Sequence, residues 1–128
     1  MPHKKMLVIR HGALGDLIMA TGAFAAIRNA HPGAQITLLT GPSFKGFAQK
    51  MGFFDDIWTD GRSKNPAHIW QTVREIAKAQ FDFVFDLQNS KRTGLYFRLL
   101  SPMGAKPLWS GIAPGCSHPQ IRPDREEL

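Results

Sequence analysis

MLVIRHGALGD, residues 6–16, is the stretch of this sequence that decides the fold. Its first four residues form a short apolar run that predicts a buried β-strand, and two glycines then lead into a predicted helix. An acid, Asp16, stands at the start of that helix. Ligands of open α/β sheets bind where a strand passes into a helix. The stretch therefore predicts a functional carboxylate at the carboxyl edge of a sheet.

The rest of the chain repeats this alternation of strand and helix. Strands are predicted at 5–10, 35–40, 57–59, 81–87 and 106–110, and helices from Leu14, over 44–51, from Pro66, and from Ser90 to about Leu100. The inner side of the first helix is predicted to consist of Leu14, Leu17, Ile18, Thr21, Ala25 and Arg28, and His31-Pro32-Gly33 ends it. The alternation predicts an α/β class fold, a Rossmann-like parallel sheet with flanking helices.

The composition is typical of one globular domain in a reducing compartment. At 128 residues and 43% hydrophobic residues, the chain can bury one core but is short for an enzyme that binds two substrates. No window approaches the roughly 20 apolar residues of a membrane span, and the apolar run before Arg10 is too short for a signal peptide. Cys116 is the only cysteine, which excludes an internal disulfide. We expect a cytoplasmic protein.

The charge and the tail suggest partners outside this domain. The net charge of +6 favours anionic partners such as nucleic acid, acidic lipid headgroups or phosphorylated glycans, although simple solubility explains it equally well. Residues 1–112 are predicted to form the domain. Residues 113–128, with Pro114, Pro119 and Pro123, are predicted to be a linker or tail.

The glycine turn does not match the common phosphate-binding motifs. Leu14 and Leu17 stand where a dinucleotide fingerprint needs glycine, and no Gly-Lys-Ser/Thr follows. Gly12 and Gly15 would instead let the backbone turn tightly beneath a bulky ligand. Asp16 suits a general base acting on a hydroxyl, and a plain helix N-cap is the competing interpretation.

A second polar group follows the fourth strand, at residues 86–92. Asp82 and Asp86 are expected at the ends of that strand, because both would be awkward inside a covered sheet. Gln88 and Asn89 offer donors and acceptors suited to sugar hydroxyls. Lys91 and Arg92 suit acidic groups on the same ligand. A solvated polar loop with a helix cap explains the same residues equally well.

The pattern of histidines and acids does not predict a metal site. Asp55 and Asp56 are adjacent, no D-x-D pair is present, and the five histidines lack H-x₃-H spacing. His11 is the histidine beside the glycine turn. It is a candidate ligand contact, with a turn residue as the alternative.

The ordered set Arg10, Gly15, Asp16, Pro32 and Asp86-Leu87-Gln88 resembles the N-terminal domain of the lipopolysaccharide heptosyltransferases, glycosyltransferase family 9. The resemblance covers about residues 5–112. It implies the N-terminal half of a GT-B fold, in which this domain binds the acceptor and a second domain binds most of the nucleotide sugar. It also implies inversion without a bound metal, with Asp16 as the base that deprotonates the acceptor hydroxyl while ADP leaves from the opposite face.

The chain departs from that family because the donor-binding domain is missing, so we expect a truncated chain that is inactive alone. The resemblance implies an acidic glycolipid acceptor, an ADP-heptose-like donor and no other cofactor. It further implies peripheral contact with the cytoplasmic membrane face and self-association through the exposed inter-domain face. The alternative is a stand-alone Rossmann-like nucleotide- or nucleic-acid-binding module, whose affinity would fall steeply with salt.

Overall fold

The computed structural model describes residues 4–105, 107–111 and 118–119. The strands are β1 (Lys5–Ile9), β2 (Gln35–Thr40), β3 (Asp56–Thr59), β4 (Phe83–Asp86), β5 (Leu108–Gly111) and β6 (His118–Pro119). The helices are α1 (Leu14–Ala30), α2 (Lys45–Met51), α3 (Pro66–Ala79) and α4 (Lys91–Leu100), with 3₁₀ turns at Pro42–Phe44 and Ser101–Met103. Each predicted strand and helix is confirmed, with ends that move by a few residues.

All six strands pair in parallel, in the order β3-β2-β1-β4-β5-β6. The chain runs from β1 outward through β2 and β3, then returns to place β4 beside β1. Ile9 therefore pairs with Leu39 on one side and with Asp86 on the other. The order reverses between β1 and β4, which is where ligands bind in open parallel sheets. The Rossmann-like prediction is confirmed.

Apolar side chains bury both faces of the sheet. Leu7 and Ile9 of β1 face α3 and α4, in a cluster with Val73, Ile76, Tyr96, Leu100 and Trp109. Met6 and Val8 face α1 and α2, in a cluster with Leu17, Phe24, Ile36, Leu38 and Ala48. Strands covered on both faces are expected to be continuously apolar, as β1 is.

The buried side of α1 matches the predicted one only in part. Leu17 and Phe24 are buried, whereas Leu14 and Ile18 are 47% and 55% exposed. Met19 is 84% exposed. The first half of α1 is apolar on all sides, so the spacing of its apolar residues could not determine which side faces the sheet.

The far end of α1 is fixed by one side chain, Arg28. Its guanidinium forms an ion pair with Asp55 at 3.0 Å. It also donates to four carbonyl oxygens, those of Phe53, His31, Pro32 and Ala34. These bonds join the end of α1 to the segments that begin β2 and β3, at the edge of the sheet opposite the carboxyl ends of the strands.

Part of the predicted linker belongs to the sheet. His118–Pro119, inside the segment predicted as linker, pairs with β5 as β6. Cys116 and residues 120–128 lie outside the described residues. Within the described part of the chain, no helix is long and apolar enough to cross a bilayer.

Candidate active site at the carboxyl edge of the sheet

Two loops meet where β1 and β4 end side by side. We call residues 10–16 the β1 turn and residues 86–92 the β4 loop. The Arg10 guanidinium donates through Nη1 to the Leu87 carbonyl oxygen at 2.7 Å. In the other direction, the His11 backbone N–H donates to Gln88 Oε1 at 3.0 Å. The β1 turn and the β4 loop, which the sequence places at one edge of the sheet, are therefore in direct contact.

Asp16 lies in the first turn of α1, three residues inside its N-cap, Ala13. The N-cap position itself is held by Ala13, and Asp16 caps the helix start from the first turn. One carboxylate oxygen, Oδ2, accepts from the Ala13 N–H at 3.1 Å. The other, Oδ1, lies 3.5 Å from Arg10 Nη2. The Asp16 side chain is 51% exposed, so it stabilises the helix start and still faces solvent.

The two glycines of the motif play different parts. Gly12 is buried with φ +130°, and a Cβ there would lie 2.4 Å from Phe44 Cε2. Only glycine fits this position. Gly15 is an exposed residue inside α1, and a Cβ there would have nothing within 4 Å. The prediction that both glycines form the turn holds for Gly12 alone, because the helix already begins at Leu14.

A buried carboxylate, Asp60, lies beneath the two loops. It follows β3 and is 5% exposed. Its Oδ2 accepts from Tyr96 OH, and it lies 2.9 Å from His11 Nε2. Arg92 Nη2 lies 3.2 Å from Oδ1, which also accepts from the Arg62 N–H at 2.9 Å. Asp60 thus joins the β1 turn, the segment after β3, and α4.

The surroundings of Asp60 favour its ionised form. Burial alone would raise the pKa of this carboxyl, but the bonds from His11, Tyr96, Arg62 and Arg92 outweigh burial and hold it well below the usual range. Burial, together with the nearby Asp60 charge, raises the pKa of Tyr96. The buried cluster therefore carries one negative charge, paired with Arg92.

This cluster changes the parts predicted for His11 and Arg92. The His11 ring has no exposed surface, so the predicted ligand contact through its side chain is replaced by the internal bond to Asp60. Arg92 points inward and donates to Asp60, to Tyr96 OH and to the Ser63 carbonyl. Both side chains support the site from below, because Asp60 attracts their N–H groups away from solvent.

The β4 loop is shaped by Asp86. This residue is 1% exposed, and its Oδ1 accepts from the N–H groups of Gln88 at 3.1 Å and Asn89 at 2.8 Å. Burial raises the pKa of Asp86, and these bonds only partly oppose it. Asn89 takes a left-handed backbone conformation, φ +51°. Asp86 lies at the end of its strand as predicted, and it sets the course of the loop.

The remaining predicted contacts line the same edge. Gln88 and Asn89 are half-buried, and Lys91 is exposed at the start of α4. Ser90 caps that helix by accepting from the Thr93 N–H, as predicted. Within the described residues, no group of three or more His, Cys, Asp or Glu side chains could hold a metal ion.

The sequence reasoning missed Asp60, although a signal for it was present. Asp60 directly follows a predicted strand, and Arg10 and Leu87 are the last residues of two others. The carboxyl ends of parallel strands share one edge, so an acid there belongs with the other two segments. Tyr96, which bonds to Asp60, lies in the middle of α4, and no spacing in the sequence identifies it as a partner of Asp60.

Known proteins resemble this chain in sequence and in fold. No protein-family profile matches it. A Haemophilus influenzae protein named "Putative glycosyltransferase" is 30% identical over 103 residues, which is 75% of this chain and 30% of that protein. The crystal structure of a family 9 glycosyl transferase from Veillonella parvula superposes with a TM-score of 0.77 at 22% identity, over 94% of this chain and 37% of that one.

A second solved structure has the same fold. The E. coli heptosyltransferase WaaC, solved with ADP-2-deoxy-2-fluoro heptose, superposes with a TM-score of 0.68 at 14% identity. The superposition covers 94% of this chain and 43% of that one. This chain thus spans about a third of the length of the relative it matches and well under half of the solved chains.

Proposed function

We propose that this chain, a domain with the fold of the family 9 glycosyltransferases, forms the acceptor-binding part of an inverting, metal-independent glycosyltransferase. The transferred sugar is heptose or a related sugar, carried by a nucleotide, and the acceptor is of the lipopolysaccharide type. The whole enzyme is expected to be about as long as the relative, of which this chain spans 30%.

The observation that carries the proposal is the exposed carboxylate of Asp16. It lies at the carboxyl edge of the sheet, in the first turn of α1, beside the point where the strand order reverses. Acids that only cap helices occur at any helix start. This one adjoins the β4 loop through Arg10, in the place where parallel sheets bind ligands.

In the proposed reaction, this domain supplies a base beside the bound acceptor hydroxyl. Asp16 accepts the proton of the acceptor hydroxyl as its oxygen bonds to the anomeric carbon of the donor sugar. The bond from that carbon to the diphosphate breaks on the opposite face, and the nucleoside diphosphate leaves with the bonding electrons. Configuration is therefore inverted, and most contacts to the nucleotide fall outside these 128 residues.

Three residues of the β4 loop are proposed to hold the acceptor. The amide groups of Gln88 and Asn89 suit hydroxyls, and the exposed Lys91 suits an acidic group. Gln88 Oε1 already accepts from His11, which leaves its amide N–H groups for a sugar. The solved relative WaaC was crystallised with an ADP-heptose analogue, which supports a nucleotide sugar as the donor.

The surface charge is consistent with work at a membrane. A net charge of +6 attracts anionic headgroups, and each basic residue near such a surface contributes about 1 kcal/mol. We propose the cytoplasmic membrane face as the place where the glycolipid acceptor is met.

The test compares two aspartates in the whole gene product. Asp16→Asn should lower turnover by about 10²- to 10⁴-fold, the range typical of a lost general base, while acceptor affinity changes little. Asp55→Asn is the matched control, because Asp55 is also half exposed and also paired with an arginine, but at the opposite edge of the sheet. Release of ADP from ADP-heptose, with deacylated lipopolysaccharide core as acceptor, measures the rate.

Unchanged turnover in a folded Asp16→Asn protein would refute Asp16 as the base. An equal loss in Asp55→Asn would show that stability, and not chemistry, is being measured. Tight polyanion binding with no sugar transfer would favour the stand-alone binding module instead.

A further inference from the structure

We propose that Arg10 is the positioning residue of this site: it holds the Asp16 carboxylate in register with the β4 loop. The inference rests on the proposed function, in which Asp16 is the base. Arg10 itself touches no reacting atom, because it acts through Asp16.

The geometry of Arg10 is that of a bridge between the two loops. Its backbone N–H bonds to the Leu39 carbonyl at 3.0 Å, which fixes the residue at the end of β1. From there Nη1 reaches the Leu87 carbonyl oxygen at 2.7 Å, and Nη2 lies 3.5 Å from Asp16 Oδ1. A guanidinium is planar and rigid, so an arm fixed on Leu87 also fixes the arm that faces Asp16.

Asp16 needs such a partner because its helix start is weakly packed. Leu14 and Ile18, on the same turn of α1 and the next, are about half exposed. Leu17 is the buried residue of that first turn. The Ala13 N–H holds only one of the two carboxylate oxygens. Arg10 faces the other one, and thereby links the direction of the carboxylate to the loop that carries Gln88.

The ion pair between Arg10 and Asp16 is weak, which indicates that it orients the carboxylate and adds little to stability. The Asp16 side chain is 51% exposed and its distance to Arg10 is 3.5 Å, and an ion pair with so exposed a partner contributes little to folding. Orientation is different, since a misplacement of about 1 Å at a reacting group can cost about 10²-fold in rate. Loss of Arg10 should therefore reduce turnover far more than it reduces thermal stability.

The experiment measures kcat and KM for the acceptor in the whole gene product, with ADP-heptose and deacylated lipopolysaccharide core. Arg10→Met should lower kcat by about 10- to 100-fold and leave KM within about threefold. Arg10→Lys should recover part of the loss, because an ammonium can reach either the carbonyl or the carboxylate but does not span both. Arg28→Met is the control, since Arg28 is 19% exposed and paired with a 48% exposed Asp55. It should lower the melting temperature, because Arg28 also loses its bonds to four carbonyl oxygens, and leave kcat within about twofold, because it lies at the opposite edge of the sheet.

The double variant Arg10→Met with Asp16→Asn decides whether Arg10 acts through Asp16. If it does, the double variant turns over no more slowly than Asp16→Asn alone. A further drop in the double variant, a rise in KM at unchanged kcat, or full activity of Arg10→Met would each overturn the inference. With Asp16→Asn inactive, those outcomes leave the proposed base intact. Full activity of Asp16→Asn refutes the base itself and, with it, this role for Arg10.

Discussion

Two buried carboxylates, Asp60 and Asp86, should respond differently to replacement by asparagine. They are 5% and 1% exposed, so each substitution buries an amide in place of a carboxyl of the same shape. Their surroundings differ, because hydrogen bonds hold the pKa of Asp60 low whereas burial raises that of Asp86. We expect Asp60→Asn to destabilise the chain and Asp86→Asn to be tolerated.

The size of the Asp60 effect follows from its Oδ2 atom. His11, Tyr96 and Arg92 Nε all turn toward that oxygen, and the amide nitrogen of asparagine cannot accept from any of them. Arg92 would also lose its counter-charge. Breaking a buried ion pair from one side costs about 3–5 kcal/mol. For a chain of this size that lowers the melting temperature by about 10–20 °C.

The Asp86 effect is small because asparagine keeps its main bonds. Its carbonyl oxygen can still accept from the Gln88 and Asn89 N–H groups. The charge that is costly to bury is removed at the same time. The change in unfolding free energy should stay within about 1 kcal/mol.

The dependence on pH separates the two carboxylates. A carboxyl whose pKa is lower in the folded chain stabilises it above the unfolded value of about 3.9, and that stability is lost as the pH falls below it. The difference in unfolding free energy between wild type and Asp60→Asn should therefore shrink as the pH falls below about 4, by up to about 1.4 kcal/mol per pH unit. Asp86 has the opposite sign: its ionisation in the folded chain costs stability as the pH rises above the unfolded value.

Guanidinium unfolding followed by tryptophan fluorescence, between pH about 2.5 and 7, measures both effects from the midpoints and slopes. Equal stability of wild type and Asp60→Asn at neutral pH would refute the role given to the buried cluster. A difference that grows toward acid pH would refute the sign. Loss in Asp86→Asn as large as in Asp60→Asn would show that burial alone governs both.

The remaining predictions concern the β1 turn and the start of α4. Gly12→Ala should lower the free energy of unfolding by about 2–4 kcal/mol, because the new Cβ would meet Phe44 at a positive φ. Gly15→Ala has free space around it and should change the free energy of unfolding by less than about 1 kcal/mol. Chemical denaturation compares the two variants, and equal effects would contradict the close approach of Gly12 to Phe44. Ser90→Ala should cost about 1 kcal/mol through the lost cap, and an unchanged unfolding midpoint would contradict that role. Lys91→Gln should raise KM for an acidic acceptor by about 3- to 10-fold at constant kcat, as expected for a lost ionic contact, and a matching fall in kcat would place Lys91 in the chemistry.

Periodic features of the sequence predicted most of the fold. The apolar run of β1 and the β-branched β2 stand out in the sequence because they are covered on both faces. The predicted inner side of α1 was wrong at Leu14 and Ile18, because apolar residues lie on several sides of the first half of the helix. Which side of the helix is buried there depends on how α1 packs against the sheet, and the local sequence does not determine that packing.

The site was predictable in its position and less so in its connections. Asp16 and the β4 loop follow from chain order and the rule for parallel sheets. The cluster around Asp60 does not, because it joins side chains 49, 32 and 36 residues apart that no local pattern relates. The sequence predicted a ligand contact for His11 because it does not show that Asp60, 49 residues away, bonds to the His11 ring in the interior.

The contact between the β1 turn and the β4 loop has a consequence for how the protein folds. Its two hydrogen bonds each join residues 77 positions apart. Closing a chain loop of that length costs about 4 kcal/mol of conformational entropy, so local helices form before this contact does. Asp60 gains Arg92 and Tyr96 only when α4 docks. During synthesis, a nascent chain that has not yet emerged past α4 would carry this acid without its counter-charge, and the site would assemble as one late, cooperative step.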